Sequence, residues 1–180
     1  EAEKRARMIV DEKNPELSEQ TKSDVARKVA LGALKYSLLS RDNTKVITFD
    51  WDSAMDVNGQ AAPYIQYAYV RANSILRKVH FAIPEKAESS YILTEAEVEL
   101  VDILSRFSQE VEKGAQEMRP LLIANYAYDL AKAFSNFYNL CPVLNAEKHM
   151  RNFRLALTAA SRQVIKNSLD LLGIQVPEVM

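Results

Sequence analysis

The sequence predicts an all-α protein: a helical bundle from residue 63 onward, preceded by a mixed, mostly helical piece over residues 1–62. Three observations carry this. Apolar residues recur at three- and four-residue spacing through several long segments. Helix start and stop signals stand at the segment ends, among them Ser18, Pro63, the Thr94/Glu97 pair, Pro120 and Gly173. Only four glycines occur in 180 residues, so tight β-turns and glycine-rich phosphate loops are scarce.

Residues 1 to about 13 read as a short charged helix that stops before Asn14-Pro15. Ser18 is placed to cap a second helix reaching Ser40, with Val25, Val29, Gly32/Ala33 and Tyr36 on its inner face. In the stretch 44–62, Val46, Ile47 and Phe49 predict a short extended piece, and Asn58-Gly59 a turn. Pro63 suits a first helical turn, where a missing N–H costs nothing. That helix reaches Val79 and should bury Ile65, Ala68, Ala72, Ile75, Leu76 and Val79. Beside this stripe runs a row of Tyr67, Arg71, Ser74 and Lys78. A polar linker, residues 80–93, contains Pro84. Thr94 and Glu97 form a capping-box pattern for a helix to about Lys113, with Gly114 as its closure. The next helix runs from Arg119-Pro120 to Leu140, with Ile123, Ala127, Leu130, Phe134 and Phe137 inward. The last spans Ala146 to Leu172, with Met150, Phe153, Leu157, Ala160, Val164 and Leu171 as the expected apolar stripe. Arg154, Thr158, Arg162 and Lys166 make a separate row.

The hydrophobic fraction of 48% and charged fraction of 26% are those of an ordinary globular protein. No apolar run reaches the roughly 18 residues of a membrane span, and the N-terminus lacks the apolar stretch of a signal peptide. It also lacks an initiator Met and opens in what reads as mid-helix, as at a fragment boundary. The one cysteine, Cys141, excludes an intrachain disulfide and fits a reducing, cytoplasmic setting. Net charge is -1, which argues against indiscriminate nucleic-acid binding. The charge is uneven, however. Acids dominate between Pro84 and Glu117, whereas the charges between Lys148 and Ser168 are all basic, as are those between Pro63 and Ala82. A near-neutral protein with such segments can hold a polyanion on one face.

No nucleophile, base and orienting group stand together, and His80, His149 and Cys141 lack the spacing of a metal site. Catalytic and metal-ligating residues are therefore expected to be none. Asp50 and Asp52 would share a face if extended, but capping a helix or pairing with a basic residue is the favoured role. The aromatic and basic mix on the Pro63 helix admits two readings. Tyrosine offers a face for a base and arginine a fork for phosphate. By pattern alone, such tyrosines more often pack at a core edge. Arg77 points well away from the Tyr67/Arg71 side.

Three stretches together resemble the end of the arginyl-tRNA synthetase catalytic domain running into its anticodon-binding domain: Ala33-Leu34-Lys35-Tyr36-Ser37, Phe49-Asp50-Trp51-Asp52, and Pro63-Tyr64-Ile65-Gln66-Tyr67-Ala68-Tyr69-Val70-Arg71. The segments from Phe153 to Leu157 and from Val164 to Ile174 resemble the DALR-type helical domain of the same family, and Pro177-Glu178-Val179-Met180 resembles its C-terminus. The resemblance implies the tail of a Rossmann-like class I catalytic domain with a connecting loop over 1–62, and a DALR-type anticodon-binding bundle over 63–180. It implies contacts with the anticodon arm of tRNA-Arg from the loop residues Asn58, Gly59 and Gln60, from Tyr67, Arg71 and Arg77, from Tyr138, and from Met180. Arg154, Arg162 and Lys166 would add phosphate contacts. One departure stands out: Ala61-Ala62 occupies the place of the family's usual Thr-Gly or Ser-Gly, which puts the loop's shape in question.

The family joins arginine to tRNA with ATP, using HIGH-type and KMSKS-type motifs that this sequence does not contain. The resemblance therefore implies a ligase parent, an N-terminal catalytic domain as partner, and no cofactor or adenylate chemistry in this stretch alone. The rival readings are a helical protein-interaction module without RNA binding, the DALR-type domain of another synthetase such as the cysteinyl enzyme, and a self-contained enzyme.

Overall fold

The computed structural model describes residues 1–83 and 88–180, and every regular element among them is an α-helix. Pro84 and Glu85, counted above in the linker and the acidic segment, lie outside the described residues. The helices are α1 (Ala2–Lys13), α2 (Glu19–Leu39), α3 (Trp51–Ala54), α4 (Ala62–Arg77), α5 (Glu95–Ser105), α6 (Phe107–Gln116), α7 (Pro120–Leu140) and α8 (Lys148–Leu171).

Local signals set most of the boundaries. Ser18 accepts the Thr21 amide at the start of α2. Thr94 and Glu97 complete a reciprocal capping box on α5. Pro63 and Pro120 occupy first turns. The extended piece expected over Val46, Ile47 and Phe49 forms no strand among the described residues. Asp50 then caps α3 by accepting the Ser53 amide at 2.8 Å, and Asp52 pairs with Arg5 at 3.2 Å. Both aspartates thus serve structure.

The single helix expected over 94–113 is two. The buried Tyr126 hydroxyl of α7 donates to the Ile103 carbonyl at 3.0 Å, and the Arg106 amide turns back to the same oxygen at 3.3 Å. A side chain inserted into the ladder in this way kinks a helix. Nor does Gly114 close α6. It lies inside the helix, where a Cβ would stand 3.1 Å from Ile123 Cδ1. Closure falls to Met118, whose φ is +51°. The Met118 amide donates to Ala115 and the Arg119 amide to Gly114, the pattern of a Schellman cap.

Two apolar clusters result. The larger joins α4, α5, α7 and α8 through Ile65, Leu100, Leu130, Phe134, Phe137, Leu155, Ile165 and Leu169. The smaller joins α1 and α2 through Val10, Val25, Val29 and Ala33, with Met55 beneath. Each large side chain so buried contributes about 1.5–3 kcal/mol. Tyr36 of α2 enters the larger cluster, and its hydroxyl donates to the Ala124 carbonyl at 3.1 Å. The tail beyond α8 threads between the clusters. Ile174 is buried, and the Gln66 amide donates to the carbonyls of Gln175 at 2.7 Å and Lys28 at 3.1 Å. Met180 packs against both clusters.

The inner face of α8 is rotated from the expected stripe. Ala160 and Leu171 face solvent, while Arg154, Thr158, Ser161, Ile165, Ser168 and Leu169 face the core. The three hydroxyls donate to the carbonyls four residues back, each at 2.8 Å, so their burial leaves no donor unsatisfied. No described helix is long and apolar enough to cross a membrane.

Candidate nucleic-acid interface

Tyr67 and Arg71 stand one turn apart on α4, and the last turn of α7 brings Tyr138 against them. The Arg71 guanidinium carbon lies 4.6 Å from the centroid of each tyrosine ring. Both rings are 41% exposed, well above core tyrosines such as Tyr36 at 1%. Cation–π attraction on two sides, about 0.5–1 kcal/mol each at exposed sites, fixes the guanidinium plane. Among the described residues no protein acceptor takes its N–H groups.

This cluster sits where two open grooves meet. One, of about 450 Å³, is walled by α4, the end of α7 and residues 142–145, and includes Ser74, Lys78 and Asn145. The other, of about 470 Å³, lies between α1 and α4 and includes Ile9, Lys13, Asn14, Val57 and Asn58. Tyr67, Arg71 and Met180 line both. Among the described residues, their charged side chains are Lys13, Arg71 and Lys78, with no Asp or Glu. The acid-rich α5 and α6 contribute no lining residue.

Of the residues named from sequence, Asn58, Tyr67, Arg71, Tyr138 and Met180 converge here. Gly59 and Gln60 do not line the trough. A Cβ at Gly59 would stand 2.4 Å from the exposed Asp56 carboxylate, which would have to shift to admit one. The Gln60 amide donates to Asn125 Oδ1 at 3.0 Å. Ala61 has φ -143° and ψ 160°, extended backbone open to any residue, and both Ala61 and Ala62 are buried. The loop therefore forms without the family's hydroxyl or glycine.

Arg77 and Arg162 hold the tail. Arg77 pairs with Glu178 at 2.6 Å, the Asn73 amide donates to the same carboxylate at 3.1 Å, and Arg162 donates to Asn73 Oδ1 at 3.1 Å. Lys166 pairs with Asp170 at 2.5 Å on an exposed face. Arg154 corrects the expectation of a basic surface row. It is 5% exposed, donates to the Glu97 carboxylate at 2.7 Å and to the Pro142 carbonyl at 2.9 Å, and ties α8 to α5. Among the described residues no group of three or more His, Cys, Asp or Glu could hold a metal ion.

Sequence reasoning missed Lys13, Asn14, Lys78 and Asn145 as trough residues. Lys78 shared the Arg71 row and could have been found. Lys13 and Asn14 reach the trough only through packing of α1.

A family model described as the DALR anticodon binding domain matches residues 65–180. The arginine–tRNA ligase of Pyrococcus abyssi is 45% identical over 185 residues, covering all of this chain and 29% of that protein. The ligase of Thermococcus sibiricus is 43% identical over 188 residues, with the same coverage. The chain thus spans under a third of the length of these relatives. The solved arginyl-tRNA synthetase of Thermus thermophilus superposes with a TM-score of 0.90 at 38% identity, over 99% of this chain and 31% of that one.

Proposed function

The chain belongs to the DALR anticodon binding domain family, in the form carried by arginyl-tRNA synthetases, and from that premise we propose that it binds the anticodon arm of tRNA-Arg in the trough around Arg71. The observation that carries this reading is the exposed Tyr67–Arg71–Tyr138 stack in a groove that no described Asp or Glu side chain lines. Single-stranded bases are read by aromatic and guanidinium faces together with polar edges. Here Tyr67 and Tyr138 supply faces, Arg71 a plane and a donor fork, and Asn58 and Ser74 short polar groups. Arg77 and Arg162 act through the tail, holding Glu178 so that Met180 closes the trough.

In this reading residues 1–62 are the tail of a catalytic domain with its connecting loop, and residues 63–180 are the recognition domain. The parent is a cytoplasmic arginine–tRNA ligase that uses ATP, and its N-terminal catalytic domain is the second partner. Grip on the anticodon arm orients the acceptor end toward that domain. Affinity of the chain for a tRNA-Arg transcript and for an anticodon-base variant, at two salt concentrations, tests the proposal. Tighter binding of tRNA-Arg at both salts is expected. Equal, weak binding to both RNAs would favour a helical protein-interaction module instead. An ATP–pyrophosphate exchange assay of the chain alone should give no arginine-dependent signal.

A further inference from the structure

We propose that the trough holds RNA backbone on both sides of the tyrosine–arginine stack, with Lys13 and Lys78 as the phosphate contacts at its two ends. This rests on the reading of the trough as the RNA site and extends it to residues outside the stack. The two grooves share Tyr67, Arg71 and Met180 as lining, so they flank the stack from its two sides. Lys78 lies at the α4 C-cap beside Asn145, and Lys13 ends α1 beside Asn14. Each end thus has one cation, with Asn145, Val143 and Leu144 around it at one end and Asn14, Asn58, Ile9 and Val57 at the other. Cations alternating with aromatic faces along a groove is the arrangement that tracks a single strand.

Among the described residues, the only carboxylate within salt-bridge distance of either lysine amine is Glu12, 3.5 Å from Lys13 Nζ. That pair is exposed on both sides, and Glu12 does not line the groove. A lysine is a mobile point charge without the planar fork of arginine. Lys13 and Lys78 therefore set position and affinity, and the base faces at the stack set sequence preference.

The test is titration of a tRNA-Arg anticodon-arm hairpin into the 180-residue chain and its Lys13→Gln, Lys78→Gln, Lys13→Arg and Lys132→Gln variants across a salt series. Lys132 is exposed on α7 and lies outside the trough. Loss of one phosphate contact should lower affinity about five-fold at ~0.1 M salt and flatten the plot of log affinity against log salt by about 0.7. Lys13→Gln and Lys78→Gln should each do this, with discrimination against an anticodon-base variant unchanged. Lys13→Arg should keep wild-type affinity, and so should Lys132→Gln. Wild-type affinity and slope in both Gln variants, with the parent chain still discriminating, would overturn the inference and leave the site reading standing. An equal loss in Lys132→Gln would also overturn it, by reducing the effect to net charge. No binding by the parent chain would overturn the site reading and this inference together.

Discussion

Inside the bundle the Arg154 guanidinium donates to the Glu97 carboxylate at 2.7 Å, and neither side chain reaches solvent to any useful extent. The Tyr91 hydroxyl donates to the same carboxylate at 2.5 Å and the Thr94 amide at 2.8 Å. One carboxylate thus caps α5, anchors the linker and receives α8. Arg154→Met leaves that charge buried without its counter-ion, and breaking such a pair costs about 3–5 kcal/mol. Urea denaturation should show a loss of this size. The remaining folded fraction should keep most of its RNA affinity, because Arg154 lines neither groove and touches the trough only through its hydrogen bond to the Pro142 carbonyl of the 142–145 wall.

The same pair gives the fold an acid limit. Burial pushes the Glu97 carboxyl upward, but hydrogen bonds from Tyr91, Arg154 and Thr94 outweigh it and hold the carboxyl below its usual value. A carboxyl depressed in the folded state stabilises above the ordinary Glu range, near pH 4.3, and that contribution is lost as pH falls through the lowered folded value. Melting temperature should therefore drop on acidification below about pH 4. In Glu97→Gln this part of the drop should be absent.

Met118 closes α6 at φ +51°, where a side chain crowds the following carbonyl. The left-handed conformation costs a non-glycine residue about 1–2 kcal/mol. Met118 is also 79% exposed, so its removal forfeits little packing. Met118→Gly should raise stability by about 1 kcal/mol, offset in part by unfolded-state entropy. Met118→Ala should give no gain. Paired thermal melts distinguish the two.

Gly32 faces the Gln66 amide that holds the tail. A Cβ at that position would stand 2.8 Å from Gln66 Nε2 and 3.2 Å from the Ile174 side chain. Gly32→Ala should push the amide off the Gln175 carbonyl and destabilise by about 1–3 kcal/mol, as overpacking does. Hydrogen exchange should accelerate first around Ile174 and Gln175, where that amide is the tether, and less near Glu178, which Arg77 and Asn73 hold.

Much of the fold was legible because its signals are local. Ser18, Thr94 with Glu97, Pro63 and Pro120 each mark a helix start through contacts within one turn, and all four fall where the sequence places them. The face of α8 was not legible. Its core residues include an arginine, a threonine and two serines, whose polarity is cancelled by Glu97 and by backbone carbonyls that a periodicity count does not see. The break at Arg106 was hidden for the same reason, since Tyr126 arrives from another helix. At the candidate site, Tyr67 and Arg71 are neighbours by helical spacing alone. Tyr138 joined them only through the family resemblance, and Lys13 only through the packing of α1. Arg77 reads as a free cation in sequence because its partner, Glu178, lies 101 residues away.

On the function proposed above, the Tyr67–Arg71–Tyr138 stack reads anticodon bases. The most direct test is the affinity ratio between a tRNA-Arg transcript and an anticodon-base variant, measured for the chain and for Arg71→Ala and Tyr138→Ala. Base–aromatic stacking is worth about 1–3 kcal/mol, so each variant should lose roughly ten-fold or more in affinity for tRNA-Arg. The ratio should collapse toward one while the melting temperature holds. A parent-like ratio retained in both variants would place anticodon reading elsewhere on the molecule.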